Sequence, residues 1–92
     1  MGTTLLVPKN GTMHKTLHSP QHQRLVAWLK KARCDQGLTM RDLAVKLGVP
    51  HSFVGKVEQG ERRLDLVEFI QYCECLGLKP EDGIKVVRGP LG

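Results

Sequence analysis

Acidic side chains are scarce in the first two-thirds of this sequence. Residues 1–60 hold three (Asp35, Asp42 and Glu58) against nine Lys and Arg, whereas residues 61–92 hold six acidic and five basic groups. Long hydrophobic runs are missing too. The stretch Leu5-Leu6-Val7 ends at Pro8, far short of the ~20 apolar residues that span a bilayer, and it lacks the charged-then-apolar plan of a signal peptide. Three cysteines, Cys34, Cys73 and Cys75, cannot make a closed disulfide framework and fit a reducing compartment. The expectation is a cytoplasmic protein with no membrane partner.

Chemistry-bearing patterns are equally sparse. There is no Gly-rich phosphate loop, no paired carboxylates and no nucleophile with an evident base. Cys73 and Cys75, two apart, point to opposite sides of a helix and cannot jointly grip a metal there. His14, His18 and His22 have the spacing of one helical face, but Ser19-Pro20 interrupts it, and no metal site is expected. Neither catalysis nor a cofactor is indicated.

What is present is a chain of 92 residues with a formal net charge of +5. That length makes one domain with one modest core and no room for a deep substrate cavity. The positive balance draws polyanions, nucleic acid first among them. Residues 1–18, rich in Thr, Gly, Asn and Lys, read as a flexible N-terminal tail, residues 19–88 as the folded domain, and residues 89–92 as a frayed end.

Inside the domain the punctuation is helical. Ser19-Pro20 starts a helix that reaches about Gln36, with Leu25, Trp28, Leu29 and Ala32 on one side and Arg24, Lys30 and Lys31 away from it. Thr39-Met40-Arg41-Asp42 resembles a capping box opening a short helix that ends at Gly48, its inner face Met40, Leu43, Ala44 and Leu47. A third helix, about 50–59, turns Val54 and Val57 inward. It turns His51, Ser52, Gly55, Lys56 and Gln59 outward, a face without a carboxylate or a large apolar side chain. Asp65 caps a fourth helix with the stripe Leu66, Phe69, Ile70, Cys73 and Leu76. Pro80-Glu81-Asp82 opens a short fifth, weakened by Gly83. No segment alternates like a strand, so the fold class is all-α, four to five helices.

The segment from Leu38 to Gly60 is a helix, a turn with Gly48 at its first position, and a second helix. A small residue, Ala44, stands where the two helices would cross. Leu38-Thr39, Leu43-Ala44, Leu47-Gly48-Val49, Val54, Val57-Glu58-Gln59-Gly60 and Arg62-Arg63-Leu64-Asp65, with Arg33 upstream, resemble the Cro/Xre-type, phage-repressor family of helix-turn-helix proteins over about residues 22–82. Joined at this distance and flanked by helices, these residues form a specific signal.

The resemblance implies five helices, the third reading the major groove of DNA. It implies base contacts from His51, Ser52 and Lys56, and phosphate contacts from Thr39, Arg41, Arg62 and Arg63. It also implies a structural ion pair between Arg33 and Glu58. The side-chain chemistry is compatible: Lys56 can donate to guanine O6 and N7, and Ser52 can donate or accept. Two positions depart from the family's pattern. Met40 stands where members commonly carry a phosphate-binding Gln, and Pro50 where many carry a Ser or Thr cap. Phe53 is open between a thymine methyl or sugar and the domain's own packing.

The implied function is a sequence-specific transcriptional regulator, a repressor acting as a homodimer on a two-fold operator. An antitoxin, or another protein that covers a small protein partner and also binds DNA, is the second reading. Tyr72, Cys75, Ile84, Val86 and Val87 are candidates for the contact between copies.

Overall fold

The computed structural model describes residues 19–89, which form five helices: α1 (Pro20–Asp35), α2 (Met40–Leu47), α3 (His51–Glu58), α4 (Leu66–Leu76) and α5 (Pro80–Arg88). No strand occurs among the described residues. The expected all-α architecture is therefore the observed one. The N-terminal segment 1–18, with His14 and His18, and residues 90–92 lie outside the described residues.

Local chemistry starts three of the helices. The Ser19 hydroxyl accepts from the His22 backbone N–H at 3.1 Å, with Pro20 next to it. Thr39 and Asp42 make a reciprocal capping box: the Thr39 hydroxyl accepts from the Asp42 N–H at 3.0 Å, and the Asp42 carboxylate accepts from the Thr39 N–H at 2.9 Å. Asp65 and Glu68 repeat this at the head of α4, at 2.7 and 3.0 Å. Each such box satisfies donors that the first helical turn leaves without carbonyl partners. Helix α3 has no side-chain cap; Pro50 occupies the position. At the end of α2, Gly48 takes a left-handed φ of +73°, which turns the chain sharply into α3.

The core gathers Leu29 of α1, Leu43 and Ala44 of α2, Val54 and Val57 of α3, and Phe69, Tyr72, Cys73 and Leu76 of α4. Helix α5 packs mainly on α1. The approach is close because Gly83 is buried: a Cβ there would lie 2.6 Å from Phe69 Cζ and 2.8 Å from Trp28 Cζ3. The residue that weakens α5 as a helix thus lets α5 dock. Burial pushes the Cys73 thiol up to about 11, which leaves it an inert core side chain.

Five positions differ from the sequence reading. Leu66 is 68% exposed and Ile70 37%, while Tyr72 is fully buried. Helix α4 is covered by α1, α2 and α5 together. Its inner face is therefore wide enough to take both Tyr72 and Cys73, and it turns away from Leu66 and Ile70. Tyr72 is thereby excluded as a contact between copies. Met40 is exposed rather than internal, because its place at the first turn of α2 sets it over Gly55, whose Cβ position is 3.8 Å from Met40 Sδ. Arg24 does not point away. Its Nε donates to the Val86 carbonyl at 3.1 Å and its Nη2 to the Val87 carbonyl at 2.9 Å, binding α1 to the last turn of α5. Among the described residues, no helix is long and apolar enough to cross a membrane.

Candidate nucleic-acid interface

The two helices around Gly48 owe their crossing to small inward residues. Ala44 and Val54 are 2% and 0% exposed, and helices α2 and α3 pack directly on each other. With Val54 and Val57 inside, the other side of α3 is fixed. His51, Ser52, Lys56 and Gln59 are all exposed there, beside half-buried Gly55. The face carries one cation, hydrogen-bonding groups and no carboxylate. Thr39 and Arg41 are exposed at the first turn of α2, and Arg63 is exposed in the segment after α3. The sequence-derived base and phosphate candidates therefore belong to one continuous run of α2, α3 and the following turn.

Two acidic groups of this region are occupied. The Asp42 carboxyl is held below its ordinary range, chiefly by the Thr39 backbone N–H and then by the Thr39 hydroxyl. Glu58 is locked to Arg33. Arg33 Nε lies 2.6 Å from Glu58 Oε2, and its Nη2 donates to Oε1 at 3.0 Å. The third arm, Nη1, donates to the Leu38 carbonyl at 2.7 Å. The hydrogen bond to Glu58 raises the Arg33 pKa further above its ordinary value, against the effect of burial. This forked pair fastens the C-terminal end of α3 to α1.

Arg62 is also engaged. Its Nη1 and Nη2 donate to the two oxygens of Glu68 at 3.0 and 2.9 Å, and Nη1 also donates to the Arg63 carbonyl at 2.7 Å. The guanidinium carbon lies 4.4 Å from the centre of the Phe53 ring. Phe53, half-buried, packs against the core from beneath this cation. Arg62 is the first cause that holds the Glu68 carboxyl below the ordinary 4.5, the Asp65 backbone N–H the second. Sequence reasoning missed this cluster. The reciprocal cap of Glu68 was a visible signal, but the partner six residues earlier lies across a turn with no periodicity to reveal it.

Among the described residues, no group of three His, Cys, Asp or Glu side chains could hold a metal ion. His22 of the His14/His18/His22 pattern is buried in α1.

Paired short helices at a glycine turn, with an open outer face on the second, define a helix-turn-helix domain. The helix-turn-helix family model matches residues 29–83. Among solved structures, an XRE-family-like protein from Pseudomonas syringae pv. tomato is 40% identical. That match covers 87% of this chain and 95% of the other, with a TM-score of 0.72. The restriction-modification controller protein C.AhdI from Aeromonas hydrophila is 28% identical over 71% of this chain and 98% of its own, with a TM-score of 0.65. The clp gene regulator ClgR from Corynebacterium glutamicum is 25% identical over 77% and 76%, with a TM-score of 0.69. A search of curated protein sequences gives no match. The chain belongs to the Cro/Xre-type helix-turn-helix family, with the fold of a transcriptional regulator.

Proposed function

We propose that this protein is a cytoplasmic, sequence-specific regulator of transcription, a repressor that binds a two-fold operator as a homodimer with α3 in the major groove. The observation that carries this reading is the exposed face of α3, with His51, Ser52 and Lys56 outward and no carboxylate among them. Lys56 donates to a guanine edge, and Ser52 and His51 reach neighbouring bases. Thr39 and Arg41 at the head of α2, and Arg63 beyond α3, meet phosphates on either side.

The dimer reading is supported by an apolar groove of about 340 Å³ between α1, α4 and α5, lined by Leu25, Leu64, Leu66, Phe69, Ile84 and Val87. Leu66 and Ile84 stand exposed along it, and Asp65 and Arg88 flank it with opposite charges. A two-fold partner would set each acid against the other copy's base. Two recognition helices about one helical turn apart multiply the specificity of four to five base pairs each.

Selection of duplexes from a random pool tests the proposal. Enrichment of an inverted repeat with half-sites about 10 base pairs apart is the expected result. A pool with no enriched sequence would overturn it. Recovery of a stoichiometric small protein in place of a homodimer would turn the reading toward an antitoxin.

A further inference from the structure

The octet His51–Glu58 is too short to hold its shape alone. Its far end is fixed by the Arg33–Glu58 pair. Its near end has no side-chain cap. What touches that near end from outside is the Arg62 guanidinium, stacked 4.4 Å over Phe53, the residue next to Ser52. The same guanidinium holds both oxygens of Glu68, and Glu68 in turn accepts from the Asp65 backbone N–H at 3.0 Å. A continuous path of contacts runs from the first turn of α3 to the head of α4.

We infer that Arg62 is a positioning residue for the DNA reading proposed above, on which this inference rests. Its stack on Phe53 and its fork onto Glu68 set the first turn of α3, and with it the reach of His51 and Ser52, rather than gripping a phosphate. Three of the five N–H donors of this guanidinium are already given to carboxylate and carbonyl oxygens, and the Glu68 charge beside it offsets its attraction for a further anion. A cation over an aromatic face and a two-point carboxylate fork are geometries that arginine serves and lysine does not.

The test uses four variants of the full chain: Arg62→Ala, Glu68→Gln, Phe53→Leu and Phe53→Tyr. Glutamine at position 68 keeps the cap on Asp65 while removing the charge that holds Arg62. Amide hydrogen exchange of Val54–Lys56 and affinity for the selected operator and for random duplex, over a salt series, are measured together. The first three variants are expected to speed that exchange about 3- to 5-fold. They should also weaken operator binding about 3- to 5-fold, random DNA less than about twofold, with the salt slope unchanged. Phe53→Tyr, which keeps the ring, should match the parent. A purely structural role would instead lower operator and random binding in proportion to the folded fraction, and would overturn the inference. So would unchanged exchange of Val54–Lys56 in the first three variants. A salt slope lowered by about one per subunit in Arg62→Ala, with Glu68→Gln tightening all DNA, would make Arg62 a direct phosphate contact and overturn it as well. If exchange responds as expected but the parent selects no duplex, the setting of α3 stands and the DNA reading falls.

Discussion

Arg33 and Glu58, twenty-five residues apart, meet in a forked ion pair whose side chains are 9% and 2% exposed. Both groups are largely withdrawn from solvent. Removing one would strand the other in the interior, and removing Arg33 would also leave the Leu38 carbonyl without its donor. Arg33→Ala should therefore lower the unfolding free energy by about 3–5 kcal/mol. Urea denaturation followed by Trp28 fluorescence would measure it. A loss below about 1 kcal/mol would mean that the pair is solvated in solution.

Two helical glycines should respond oppositely to the same methyl group. Gly83→Ala drives a Cβ to within 2.6 Å of Phe69 and 2.8 Å of Trp28. Overpacking of that kind costs about 1–3 kcal/mol, more than the ~1 kcal/mol that alanine gains in a helix. Gly55→Ala meets only Met40 Sδ, at 3.8 Å, an ordinary contact. It should stabilise by about 0.5–1 kcal/mol. Thermal melts of the two variants should move in opposite directions from the parent.

The proposed DNA contacts divide into base and phosphate types with different signatures. Lys56→Ala should weaken operator binding by about 1–3 kcal/mol and relax preference at one position of each half-site. Arg63→Ala should weaken all duplexes alike and flatten the salt dependence by about one unit per subunit. Titrations of both variants against operator and random DNA would show whether the two effects separate or exchange.

Acid should attack the domain first at its two capping boxes. Asp42 and Glu68 are both held below their ordinary values of 3.8 and 4.5 in the folded chain. A depressed carboxyl contributes stability that is complete above the unfolded value and disappears as pH falls through the folded one. Unfolding free energy should thus decline from about pH 5 downward. Glu68→Gln should flatten that decline, since an amide keeps the cap bond but no longer titrates. Denaturation series between pH 3 and 6 would reveal an unaltered slope if the argument is wrong.

The features legible in the sequence were the local ones. Ser19, Thr39 and Asp65 act on donors three residues away, and Gly48 answers to its own φ, so each could be read from its neighbours. The outer face of α3 followed from 3.6-residue periodicity anchored by Val54 and Val57. What escaped was set by contacts across the chain. Arg24 looked like a solvent-side base, yet its acceptors are 62 and 63 residues away. Gly83 looked like a helix breaker, because nothing nearby in sequence announces Phe69 and Trp28. Tyr72 looked available because one helix face was assumed to be inward, whereas three neighbouring helices enclose a wider arc of α4.

The bond from Arg24 to the final carbonyls of α5 has a consequence for how the domain comes apart. Helices α1 and α5 hold each other, so neither can peel away without uncovering Trp28 and Phe69 to solvent. A segment near the C-terminal end of the described chain thus acts as a clasp on the helix near its start, and loss of α5 would open the apolar seam around Trp28 and Phe69.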